Sequence, residues 1–389
     1  MEVRLKIIIT VVGCLFAALL ARLWDLQVMT ASTAQAVAAG NGIRTIYTPA
    51  PRGLILDRNG RVLVGNLNEP AIEVDRQVAA SHPGMINRLA PLLGMSLRQL
   101  KAAIANPQYG SFQPIPVMTN PSPQQLLYVQ ERPQSFPGVH AATITVRSYT
   151  PAGKAAANLL GYVGRITASE YGVLKSHGYR PDSQLGQTGV EAAYQSVLRG
   201  RPGMTELQVD SRGNVLSTLR TMPPVPGQNL RLSIDGSLQV ATMQALDQEV
   251  AVKRTQTDPD GSGHYRATGG AVVVEDPNNG QLLALASYPS YDPSVFAGGI
   301  SAADYAALTD PRANSPLDDR ALGGVYFPGS TFKLVTATAG LESGVVTPSS
   351  FYNDVGGGIT VGGHFFANDG HQSYGPVALP FALTVSDDA

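Results

Sequence analysis

Ser330-Thr331-Phe332-Lys333 sets a hydroxyl and an amine three residues apart, directly after Pro328 and Gly329. Proline and glycine break the preceding chain. The apolar and small residues at 332–341 suit a buried helix, with Gly344 as its stop. Ser330 then falls at the helix amino terminus, and Lys333 follows one turn later on the same face. That pattern fits nucleophilic chemistry, because a serine hydroxyl attacks only when something takes its proton. A lysine does so where burial and the positive end of a helix favour the neutral amine, and Phe332, Leu334 and Val335 would supply the apolar surroundings. The Ser330 amide would point out of the helix end, placed to donate to an oxyanion. Chance is the rival reading, since the chain has six lysines: Lys6, Lys101, Lys154, Lys175, Lys253 and Lys333. Of these only Lys333 follows a serine by three and lies in a long apolar helix. An unpartnered lysine there would cost several kcal/mol.

The rest of the chain must position this pair. Its 389 residues allow two or three domains. With 43% hydrophobic and 15% charged residues it is not a disordered tail, and a net charge of -1 leaves no global basic field for nucleic acid. A lone cysteine, Cys14, excludes an internal disulfide and a cysteine-rich metal site. Residues 7–21 carry no charge and would span roughly 22 Å as a helix, short of a ~30 Å hydrocarbon core. Arg22 and Trp24 lengthen the span as interfacial anchors, and Arg4 and Lys6 predict a cytoplasmic amino terminus with the bulk of the chain outside. A cleaved signal peptide is the alternative reading of the same run.

Beyond it, residues 27–41 are alanine-rich and helix-like. The apolar runs 53–56 and 61–64 flank Asn59-Gly60, a hairpin signal. Six prolines at 107–133, with Pro137 after them, predict mostly loop, and HAATITVRSYTP at 140–151 a strand. A helix is predicted over 190–198, and hairpins around Arg212-Gly213-Asn214 and Asn278-Asn279-Gly280. Residues 221–228, with three prolines and a glycine, are the best domain boundary, and residues 237–253 form an amphipathic helix after it. His364 and His371 show no zinc spacing, and Gly356-Gly357-Gly358 reads as a turn.

Several long motifs in one order make the chain resemble the class B penicillin-binding proteins, serine D,D-transpeptidases that cross-link bacterial peptidoglycan. YFPGSTFK at 326–333 is similar to the family's first active-site motif. PAPRGLILDRNGRVLVGN, with Arg52, Gly53, Asp57, Arg58 and Gly60, resembles one pedestal signature. GQTGVEAAYQSVLRGRPG, with Gly189, Glu191, Tyr194 and Gly200, resembles a second. LRLSIDGSLQ, AVVVEDPNNGQLLALASYPSYDP and SPLDDRALGGVYFPGST follow in the family's order, and GPVALPFALTVSDDA resembles the helix of the second motif, Ser-x-Asn or Ser-x-Asp.

The resemblance implies an α+β chain. Residues 1–26 would be a cytoplasmic tail and single transmembrane helix, 27–226 an elongated dimerisation-type pedestal, and 229–389 the first half of a β-lactamase-like serine transpeptidase domain. It assigns catalysis to Ser330 as nucleophile, Lys333 as base, Ser386 as proton shuttle and Asp388 as the second motif's last residue. An aspartate there leans towards the elongation-type penicillin-binding protein 2 group. Substrates would be peptidoglycan stem peptides, inhibitors the β-lactams, and the partner a membrane glycosyltransferase of the cell-wall machinery, with no cofactor or metal. The family's third motif, Lys-Thr/Ser-Gly, does not occur, so the chain reads as truncated within the catalytic domain. Two rivals follow: a catalytically incomplete anchored pedestal that binds cell-wall partners, and a β-lactam sensor, which the two pedestal signatures argue against.

Overall fold

Asp57 sets the first hairpin. In the computed structural model, which describes residues 2–25, 42–107, 109, 113–210, 215–257 and 263–388, β2 (Ile55–Leu56) pairs antiparallel with β3 (Val62–Val74). One Asp57 oxygen accepts the N–H groups of Asn59 and Arg61, each at 2.8 Å, and Gly60 takes the positive φ of 81° that closes the turn. The other accepts Gly236 N–H at 3.3 Å, so this fully buried carboxylate is satisfied. By its contacts the chain divides into two units, Met1–Gly323 and Gly324–Ala389.

In the first unit, β3 carries antiparallel β4 (Ile115–Thr119) and β5 (Val139–Tyr149), and β10 (Leu230–Arg231) lies parallel to β2. Helices Pro83–Leu92, Leu97–Ile104 and Pro123–Gln130 cover one end of this sheet around Leu89, Leu100, Ile115 and Val129. The region expected to be mostly loop therefore holds a strand and a helix. Its prolines are tolerated for local reasons. Pro123 occupies the first turn behind a Ser122–Gln125 capping box, and β4 is an edge strand, where Pro116 has fewer ladder bonds to remove. A separate sheet joins β1 (Ile43–Thr48), β8 (Gly203–Val209) and β9 (Val215–Met222), while β6 (Val163–Arg165) pairs with β7 (Gln184–Gly186). The turn expected at 212–214 and the helix expected at 27–41 lie outside the described residues. The helix expected over 190–198 is broken at Tyr194 (φ -106°, ψ 25°) into Gly189–Ala193 and Gln195–Leu198.

The two pedestal signatures meet at a buried charge cluster. Glu191, fully buried, accepts from Arg52 Nη2 at 2.5 Å and Arg147 Nε at 2.8 Å. Asn66 completes it, donating to Arg52 O at 2.7 Å and accepting from Arg147 Nη1 at 3.0 Å. Burial pushes the Arg52 guanidinium below its ordinary range, and Glu191 opposes that shift.

Helix Gly236–Thr255 packs on the hairpin of β11 (Gly270–Asp276) and β12 (Gln281–Tyr288) through Met243, Leu246, Val250 and Ala286. Buried Gln239 locks the pair, donating to Ala155 O and Leu285 O and accepting from Leu285 N. Asp235 caps the helix by accepting from Ser237 and Leu238 N–H at 3.0 and 3.1 Å. Residues 221–228 are tied down at Arg201↔Val225 and at Gly227 N–H to Pro51 O, 2.9 Å. The uncharged run 7–21 lies in helix Glu2–Trp24, yet no described helix is long and apolar enough to cross a membrane.

In the second unit a 3-10 turn, Gly329–Phe332, runs into helix Lys333–Glu342. Then β13 (Phe351–Asp354) pairs with β16 (Gly375–Ala378), β14 (Gly358–Val361) pairs with β15 (His364–Ala367), and helix Leu379–Val385 follows.

Two stability predictions follow from these contacts. Glu191→Ala, which strands two buried guanidinium groups, should cost about 3–5 kcal/mol in denaturant unfolding, whereas a cost below 1 kcal/mol would contradict the cluster's role. Asp235→Ala should cost about 1 kcal/mol. The Leu238 N–H bond, helped by Asn59 and Ser237 against slight burial, holds the Asp235 carboxyl below its ordinary value. Its folded value being depressed, the wild-type advantage should be complete above the unfolded pKa of about 3.9 and fade only as pH falls through the lower folded one.

Candidate active site

Local backbone geometry delivers each reacting group. Gly329 adopts φ 53°, and the 3-10 turn it opens carries Ser330 and ends at Lys333. Ser386 sits after the last residue of helix Leu379–Val385 in the left-handed conformation (φ 55°, ψ 45°), with Asp387 N–H closing on Ala382 O at 2.9 Å. That reversal turns residues 386–388 back towards Lys333.

The result is one connected set of hydrogen bonds. Lys333 Nζ donates to Ser386 O at 2.6 Å and Ser386 Oγ at 3.1 Å, and pairs with Asp388 Oδ1 at 2.6 Å. Three acceptors match the three donors of an ammonium group. Ser386 Oγ in turn donates to Ser330 Oγ at 2.8 Å. All four residues singled out from sequence, Ser330, Lys333, Ser386 and Asp388, therefore meet. The lysine's described route to Ser330 runs through the Ser386 hydroxyl, and a hydroxyl both donates and accepts. That chain can pass a proton in either direction.

One sequence expectation is corrected here. Helix Lys333–Glu342 has no buried residue, and Leu334 and Val335 are 65% and 55% exposed. The described residues of this unit supply two small two-stranded sheets and a short helix, which do not cover that face. The Lys333 side chain is only 22% exposed, screened by its own polar partners and not by an apolar sleeve. Sequence reasoning also missed Asp354 and Asn368, which are 0% and 3% exposed. Asp354 accepts from Gly357 and Gly358 N–H, so the available signal was an aspartate just before a glycine run. His364 opens β15 and His371 lies in the Asp369–His371 turn. Among the described residues no group of three or more His, Cys, Asp or Glu side chains is placed to hold a metal.

A serine, a lysine one turn on, and a second hydroxyl bridging them form an arrangement of the Ser-x-x-Lys type, whose chemistry suits a nucleophilic serine. Comparison with known proteins gives the same class. Residues 47–232 match the penicillin-binding protein dimerisation domain, and residues 270–389 match the penicillin-binding protein transpeptidase domain. The chain belongs to the class B penicillin-binding proteins, leaning to the penicillin-binding protein 2 type. The peptidoglycan D,D-transpeptidase MrdA of Escherichia coli K12 is 33% identical over 345 residues, 87% of this chain and 51% of that protein. FtsI of the same strain is 28% identical over 352 residues, 88% and 52% of the two. A solved complex of PBP2 with MreC from Helicobacter pylori superposes with a TM-score of 0.67 at 25% identity, covering 87% of this chain and 60% of that one. The chain thus spans about half the length of the curated relatives it matches.

Ser386 offers a local test. A left-handed residue with a Cβ is strained, so Ser386→Gly should be more stable than Ser386→Ala by about 1 kcal/mol in thermal unfolding. Both remove the bridging hydroxyl. Equal stabilities would show that the left-handed turn is not retained.

Proposed function

We propose that this chain carries the acyl-transfer site of a peptidoglycan D,D-transpeptidase. The Ser330–Ser386–Lys333–Asp388 hydrogen-bond set, with Oγ–Oγ at 2.8 Å and Nζ–Oδ1 at 2.6 Å, is the observation that supports this most. The substrate is a stem peptide ending in D-Ala-D-Ala. Ser330 Oγ attacks the penultimate D-Ala carbonyl, and its proton passes through the Ser386 hydroxyl to Lys333 acting as the base. The Ser330 amide, in the first turn where N–H groups lack helical partners, donates to the oxyanion. The resulting ammonium is held by Ser386 and Asp388. It returns the proton by the same path to the departing D-Ala amine, leaving an ester on Ser330. A neighbouring stem-peptide amine then attacks that ester to make the cross-link. β-Lactams enter at the first step, and opening of their ring leaves the acyl group attached.

We also infer attachment to the bacterial cytoplasmic membrane, with the bulk of the chain extracytoplasmic. Helix Glu2–Trp24 exposes Ile9, Val11, Leu15, Phe16 and Leu19, and its end carries Trp24 and the Arg22–Asp25 pair at 2.7 Å. That surface suits a short anchor with interfacial flanks. Residues 1–26 are then the tail and anchor, 27–226 the pedestal and 229–389 the catalytic part. A membrane glycosyltransferase of the cell-wall machinery is the natural partner, since relatives include PBP2 bound to MreC and a peptidoglycan synthase complex.

Labelling with a fluorescent penicillin tests the reading. Wild type should form a stable adduct, Ser330→Ala none, and Lys333→Ala should react at least about 100-fold more slowly. Undiminished labelling of Ser330→Ala would overturn the assignment.

A further inference from the structure

Asp354 and Asn368 lie beneath the turn that carries Ser386 and Asp388. Asp354 ends β13, and four N–H donors converge on its carboxylate: Gly357 N at 3.0 Å and Gly358 N at 3.3 Å on one oxygen, Asn368 Nδ2 at 2.8 Å and Tyr374 N at 2.9 Å on the other. Asn368 follows β15, and its amide nitrogen also donates to Gln372 O at 2.8 Å. Its Oδ1 accepts the Asp388 N–H at 2.7 Å. Asp388 is the residue whose carboxylate pairs with Lys333.

We propose that Asn368, oriented by Asp354, is a positioning residue that holds the 386–388 turn against Lys333. This rests on the acyl-transfer reading for its catalytic meaning but not for its geometry. The amide has only one workable orientation. An ionised carboxylate is acceptor-only, so Nδ2 must face Asp354, and Oδ1 is left for the backbone donor of Asp388. An aspartate at 368 would set two carboxylates face to face, and an alanine would leave both Asp354 Oδ2 and the Asp388 N–H short of a partner. The turn's described backbone closures on its own helix are Ser386 N–H on Leu383 O at 3.4 Å and Asp387 N–H on Ala382 O at 2.9 Å, and the Asn368 bond ties it to the neighbouring strand pair. Because Ser386 presents both its carbonyl and its hydroxyl to Lys333, a small rotation of this turn would break the proton path as well as the ion pair.

Two readouts on the full chain test this. In time courses at saturating penicillin, Asn368→Ala should lower the acylation rate constant about tenfold with full adduct amplitude, whereas a partly unfolded variant would lose amplitude instead. Amide exchange at residues 386–388 should become about tenfold faster while the β13–β16 amides keep their protection. Asn368→Asp should be slowed similarly. An unchanged rate and unchanged exchange in Asn368→Ala would overturn the proposal. If wild type is not acylated, the acyl-transfer reading fails, and exchange at Asp388 alone decides the positioning.

Discussion

The three oxygens around the Lys333 ammonium are the constraint that shapes the second unit. Ser386 supplies two of them and Asp388 the third, and both come from a turn 53 residues along the chain. To bring them there the chain must end helix Leu379–Val385 on a left-handed residue and pin the following turn on Asn368. A surface ion pair at such distances contributes at most about 1 kcal/mol, so fold stability does not explain these arrangements. The proposed acyl transfer would: the same contacts leave the Ser386 hydroxyl bridging the Lys333 amine and the Ser330 hydroxyl.

The pedestal uses charge differently. Arg52, Glu191 and Arg147 are 6%, 0% and 7% exposed and are joined to one another and to Asn66. There desolvation is the large term, and losing one member is far more costly than the pair is worth. The cluster gives little net stability but fixes which segments meet: the run after β1, the strand β5 and the helix Gly189–Ala193. It also explains why Arg52 and Glu191 stand in two signatures 139 residues apart.

Much of this was legible in sequence because it rests on local rules. The Asn-Gly hairpins, the helix over 237–253 and the Ser-x-x-Lys turn all follow from glycine conformations, capping and spacing. What sequence could not supply is tertiary context. The described residues of 107–137 are mostly outside regular elements, as the prolines suggest, and the two elements they do hold tolerate them, Pro123 in a first turn and Pro116 in an edge strand. The apolar run of helix Lys333–Glu342 suggested burial, but an apolar pattern says only that a face wants covering, not that the described residues cover it. Asp354 had a local signal, an aspartate just before a glycine run, but its link to Asn368, and that of Asn368 to Asp388, spans 14 and 20 residues, with no spacing rule to announce it. The resemblance named Ser386 and Asp388; chemistry alone would have left them as a polar helix end.

The central claim is that Ser330 forms the covalent bond while Ser386, at 2.8 Å from it, only relays the proton. Trypsin separates the two hydroxyls, because it cleaves after Arg320 and Lys333, and residues 334–389 hold no Lys or Arg. Mass spectrometry of the penicillin-treated, digested chain should find the adduct on the peptide 321–333 and none on 334–389. An adduct on the peptide 334–389 would contradict the account.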